Sequence, residues 1–95
     1  MGIIDKILRR KKFDPDERRR VLLANGRITD GVILDTGVNE AGEETVHFLY
    51  TLNGVDFEAY EVLTADQRQD RAKYAPGANV GVRYDTKNQG NAIVE

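Results

Sequence analysis

One dipeptide constrains this chain more than any other feature. Asn53-Gly54 stands between two runs in which apolar and polar residues alternate. Asn-Gly is the pair favoured by a two-residue type I′ turn, where both central residues need positive φ. Such a turn sets Leu52 opposite Val55, Tyr50 opposite Phe57 and Phe48 opposite Ala59, and each pair is apolar. A slip of one residue would send the whole set into water, so turn and pattern select one register. The other face places His47, Leu49 and Thr51 opposite Tyr60, Glu58 and Asp56, a mixed and wet surface.

Further strands follow from the same alternation. Arg27 to Asp35 puts Ile28, Val32 and Leu34 on one face; Asp30 falls there too, which predicts a bulge at Gly31. Val38 to Glu44 reads as a polar loop. After the Pro76-Gly77 turn, Val80, Val82 and Tyr84 alternate with Gly81 and Arg83. A loop from Asp85 to Asn91 leads to a last strand at Ala92–Val94. Thr64-Ala65-Asp66-Gln67 is a capping box, and the segment from there to Lys73 is too polar to bury much, which predicts a short surface helix. Nearer the N-terminus, Asp14 can cap a helix with Pro15 at its first position. The helix runs to about Asn25, with Gly26 as a left-handed stop. Arg18, Arg19 and Arg20 lie mid-helix, and Val21, Leu22 and Leu23 form its apolar side. The fold class is mainly β: a small five-stranded antiparallel β-barrel (residues 14–95, with a short N-terminal helix) preceded by a short helical arm (residues 1–13). Curling reduces the exposed edges of a thin sheet.

Composition narrows the chemistry. With 95 residues there is one domain and one thin core. The chain has neither Cys nor Ser, which removes disulfides, thiolate zinc sites and both common nucleophiles. No apolar run approaches the roughly 20 residues that span a bilayer, and no apolar leader follows Met1, so a cytoplasmic location is expected. Asp35-Thr36-Gly37 is the triplet of dimeric aspartic proteases, in which two such carboxylates share a proton. The residues around it depart from that family, and a strand-to-turn reading competes. His47 has no second histidine to join it as a metal ligand, and Asp35, Glu40, Glu43 and Glu44 lack the ligand spacing of a calcium loop. No cofactor, metal or small-molecule ligand is predicted.

The net charge of −2 is a split. Residues 1–20 hold eight cations and four carboxylates; residues 21–95 hold six and twelve. Ile3, Ile4, Ile7 and Leu8 share a helical face beside Arg9, Arg10, Lys11 and Lys12. A basic amphipathic segment of this kind suits an anionic membrane, or a protein partner, with the protein peripheral at the inner face of that membrane. The competing arrangement packs those four residues over an open end of the barrel. A single-stranded nucleic acid is a further candidate, opposed by the acidic body, with Tyr60 and Tyr74 as its exposed rings. The expected role is non-enzymatic binding or scaffolding.

The order of features from Arg20 to Glu95 resembles the small bacterial β-domains filed as domain of unknown function 3592. The likeness lies in Leu22-Leu23-Ala24-Asn25-Gly26-Arg27 before Gly31 to Gly37, in the Phe48–Glu58 hairpin, and in Ala75 to Asp85 before a terminal strand. The chain departs from that family at Asp85-Thr86 and Asn88-Gln89, where proline is usual, and this predicts a looser last turn. The resemblance implies a small β-barrel, often within membrane-associated bacterial proteins, and transfers no functional residue.

Overall fold

The computed structural model of the protein describes residues 15–95. The expected cap at Asp14 and the whole arm lie outside them. A helix, α1 (Pro15–Asn25), precedes β1 (Arg27–Val38), β2 (Glu44–Leu52) and β3 (Val55–Val62). Then come a short helix, α2 (Ala65–Arg68), a 3₁₀ turn (Arg71–Tyr74), β4 (Asn79–Tyr84) and β5 (Ala92–Val94). The five strands form one antiparallel sheet in the order β3-β2-β1-β4-β5. It curls into a half-barrel around the core.

The hairpin keeps the register dictated by its turn: Leu52 pairs with Val55, Tyr50 with Phe57, Phe48 with Ala59 and His47 with Tyr60. Asn53 and Gly54 have φ of 52° and 81°, the left-handed pair that a type I′ turn requires. Val46, Phe48, Tyr50 and Leu52 are buried. The Phe48, Tyr50 and Phe57 rings pack in series, with centroids 5.9 and 5.3 Å apart.

The central strand β1 differs from its expected form. Its inward residue is Ile33, while Ile28 and Leu34 are exposed. The irregularity falls between Ile33 and Asp35, not at Gly31. β1 is shared: residues 27–32 pair with β4 and residues 31–38 with β2, so both neighbours overlap only at Gly31 and Val32. Gly31 marks this crossing. A Cβ there would lie 2.7 Å from Val82 Cγ2 and 2.9 Å from the Leu49 carbonyl oxygen. The glycine serves close approach of strands, the second reason for a glycine inside a strand.

Gly26 differs for the same reason, and the remaining differences follow from distant packing and hydrogen bonds. Gly26 is not left-handed; its N–H still donates to the Leu22 carbonyl at 2.8 Å. An added Cβ would lie 2.6 Å from that oxygen and 3.0 Å from the Tyr84 carbonyl oxygen. Among the described side chains of α1 only Leu22 is buried, and Val21 and Leu23 are exposed, where the helix packs on β4 and β5. The segment after Thr64 buries more than its polarity suggests. Tyr74 is buried, and its hydroxyl donates to the Glu95 carbonyl at 2.8 Å, so it is no exposed ring. The last turn is hydrogen-bonded within itself and to β2. Asp85 Oδ1 accepts the Lys87 N–H, the Asp85 N–H donates to Asn91, and the Tyr50 hydroxyl holds the Gln89 carbonyl.

Substituting Gly31→Ala should destabilise the fold by about 1–3 kcal/mol through overpacking at this crossing. Urea denaturation measures it. Unchanged stability would mean that β1 can move away from β2 and β4 at no cost.

Candidate functional site

A carboxylate occupies an inward position of β3. Val55, Phe57, Ala59 and Glu61 lie on one side of the strand by alternation. Glu61 is 9% exposed. A charge so placed needs partners, and α1 supplies them. Arg18 Nη1 lies 3.4 Å from Glu61 Oε1, and Arg19 Nη1 lies 3.7 Å from Oε2.

The same two guanidinium groups reach β5. Arg18 Nε donates to Asn91 Oδ1 at 2.7 Å and its Nη2 to the Ala92 carbonyl at 2.8 Å. Arg19 Nη1 donates to the Val94 carbonyl at 2.9 Å. Gln67 adds another bond to that carbonyl, Nε2 to O at 3.0 Å, while its Oε1 accepts the Thr64 N–H in the capping box. Strands β3 and β5 are the two edges of the sheet. Side chains, in place of a strand ladder, thus join β3 to β5 and occupy edge carbonyls of β5. Burial raises the Glu61 pKa above its ordinary value, and the Arg18 and Arg19 charges only partly oppose this. Burial likewise raises the Tyr50 hydroxyl, opposed by Arg18.

Outside the barrel, the His47 ring stacks on Tyr60 with centroids 4.3 Å apart, and His47 Nε2 lies 2.8 Å from Glu58 Oε1. Tyr60 is 71% exposed. Asp35 sits within β1 opposite His47, and its Oδ1 accepts the Thr36 N–H at 2.8 Å. The Asp-Thr-Gly triplet is therefore extended strand, with the turn beginning after Val38. In that turn Asn39 Oδ1 accepts the N–H groups of Ala41 and Glu43. Glu44 pairs with Arg71 at 2.9 Å and Arg68 at 3.9 Å. Among the described residues no group of three or more His, Asp or Glu side chains could hold a metal. Among them, too, no helix is long and apolar enough to cross a membrane.

A groove of about 570 Å³ lies where α1 meets the end of β3, lined by Asp16, Arg18, Arg19, Glu43, Tyr60 and Val62 among others. The residues expected to contact a partner (Ile3, Ile4, Ile7, Leu8, Arg9, Arg10, Lys11 and Lys12) lie outside the described residues. Arg18 and Arg19 turn to Glu61, so the basic excess of the N-terminal block belongs to residues 1–12, with five cations against Asp5. The Arg18–Arg19–Glu61 cluster itself escapes a reading of helix periodicity, but Glu61 at an inward strand position is a legible sign that a cation must come to it. No family model, characterised protein or solved structure matches the chain.

Two outcomes follow for this cluster. Arg18→Met should cost about 2–3 kcal/mol, and adding Glu61→Gln should recover part of the loss by removing the unpaired charge. A double-mutant cycle by urea denaturation measures both. The raised Glu61 pKa also has a sign. The fold prefers the protonated acid, so this stabilisation is full below the ordinary value of 4.5 and is lost as pH rises through the higher folded value. The stability difference between the native chain and Glu61→Gln should fall across that window, and a flat difference would contradict the assignment.

Proposed function

We propose that the chain is a non-enzymatic binding module that docks on an anionic membrane surface through its basic amphipathic arm. Ile3, Ile4, Ile7 and Leu8 enter the interface, and Arg9, Arg10, Lys11 and Lys12 meet the headgroups. The observation that carries this reading is the separation of charge. Residues 1–13 hold five cations and one carboxylate, and residues 14–95 hold nine cations and fifteen carboxylates.

The folded body supports it from the other side. Among the described residues no buried side-chain polar atom lacks a hydrogen-bond partner. Glu61, the one buried carboxylate among them, is already met by Arg18 and Arg19. The likeness to domain of unknown function 3592, whose members often sit in membrane-associated bacterial proteins, is in keeping with this role. The acidic body would also be held off the membrane plane by the same field that draws the arm.

The full chain should co-sediment with phosphatidylserine vesicles at low salt and be released as salt rises. Each cation near the surface contributes about 1 kcal/mol, so replacing Arg9, Arg10, Lys11 and Lys12 together by Gln should weaken partition by roughly a thousandfold. Equal binding by both proteins, or none by either, would overturn the membrane reading and leave a protein partner as the alternative.

A further inference from the structure

We infer that the cavity where the β2–β3 turn meets the last loop is a binding site for a small phosphate monoester. Its volume is about 460 Å³, and Arg27, Leu52, Asn53, Tyr84, Thr86 and Gln89 line it. That is the size of a small-molecule site.

The lining is rich in donors. Arg27 offers the planar fork of a guanidinium, Asn53 and Gln89 offer amide N–H groups, and Tyr84 and Thr86 offer hydroxyls. No Asp or Glu lies among the described residues that line it, although residues 14–95 hold fifteen carboxylates. The carboxylates that come next along the chain are turned elsewhere. Asp30 lies on the opposite face of β1 from Arg27 by alternation. Asp56 accepts the Thr51 hydroxyl at 2.6 Å. Asp85 accepts the Lys87 N–H and lines a different cavity beside α1. Lys87 adds a cation to the loop that carries Thr86 and Gln89.

The fold does not use these donors. Arg18, Arg19, Arg68, Arg71 and Arg83 each hold a carboxylate or a carbonyl oxygen. The side chains of Arg27, Asn53, Tyr84, Thr86 and Gln89 make no hydrogen bond or ion pair among the described residues. Their backbones are nonetheless held. Arg27 and Tyr84 are register partners of β1 and β4. The type I′ turn fixes Asn53 at a φ of 52°. In the loop, the Tyr50 hydroxyl holds the Gln89 carbonyl and the Asp85 N–H donates to the Asn91 carbonyl at 3.0 Å. Buried Leu52 adds an apolar wall. Donors mounted on a fixed frame lose little freedom when a ligand arrives.

The donor set selects the ligand. One guanidinium can pair with two oxygens of an oxyanion. The other donors come from the hairpin turn, the end of β4 and the loop, so they approach from several directions, as a tetrahedral phosphate requires. Asn53 and Gln89 can accept as well as donate, which suits hydroxyl groups on the carrier of the phosphate.

This inference goes beyond membrane docking and stands or falls separately from it. Titrating the isotope-labelled full chain with glycerol 3-phosphate at low ionic strength should shift the amide signals of Arg27, Gly54, Thr86 and Gln89 until they saturate. Inorganic phosphate should shift the same signals with lower affinity, and sodium chloride at matched ionic strength should not. Arg27→Gln should weaken glycerol 3-phosphate binding by about tenfold or more. It should leave the thermal midpoint unchanged, because the Arg27 side chain has no partner among the described residues. Arg20→Gln removes the same charge from an exposed position on α1 and should bind as the native chain does. Absence of saturable shifts, the same shifts with sodium chloride, or equal binding by Arg27→Gln would overturn the site. Equal affinity for phosphate and its glycerol ester would overturn the ester assignment. Vesicle binding weakened by Arg27→Gln, with no response to glycerol 3-phosphate, would give the site to a lipid headgroup and overturn the soluble ligand. Unchanged vesicle binding by Arg27→Gln alongside lost glycerol 3-phosphate binding would support the site as one distinct from the membrane contact.

Discussion

The half-barrel depends on one carboxylate facing inward. Glu61 brings a negative charge to the edge of the core, and α1 answers with Arg18 and Arg19. Because the two guanidinium groups also bind Asn91, Ala92 and Val94, the ion cluster ties the first described helix to both edge strands. Its energetics are not those of a simple attraction. The raised pKa of Glu61 means that desolvation outweighs the pull of both arginines. A hydrophobic contact could hold the seam at lower electrostatic cost, but it would not fix where the helix sits along β5. Directional bonds to named carbonyls give the helix one position.

The second constraint is the sharing of β1. A strand paired along its whole length on both sides would belong to an open, gently twisted sheet. Here β4 takes one half and β2 the other, and the sheet turns where they overlap. Gly31 makes the overlap possible by leaving room for Val82 and Leu49. The curl in turn brings the two edges near enough for arginine side chains to span them.

Much of this was legible in the sequence where local chemistry and alternation agreed. The Asn53-Gly54 hairpin, its full register, the Thr64 capping box and the Pro15–Asn25 helix all come from short-range rules. The errors arise where a distant partner decides. Ile33 faces the core, displacing Ile28 and Leu34, because β1 answers to two neighbours. Gly26 is small because the Tyr84 carbonyl approaches it, and Tyr74 is buried because a C-terminal carbonyl waits for its hydroxyl. The sequence places Arg18 and Arg19 mid-helix without a partner, because Glu61 is forty-odd residues away along the chain. The arm's eight candidate contact residues rest on composition and spacing alone.

The seam has a consequence for the order in which the protein can be made. The β2–β3 hairpin joins neighbours in sequence and can form as soon as both strands leave the ribosome. Closure cannot. The carbonyls that receive Arg18, Arg19 and Gln67 belong to Ala92 and Val94, so α1 must wait while some seventy later residues are synthesised. Throughout that interval Glu61 lacks the second half of its arrangement, and the hairpin's core face lacks β4 and β5. Vectorial synthesis thus sets a period in which a nascent chain offers an open apolar sheet to its surroundings, ended by the arrival of three consecutive residues.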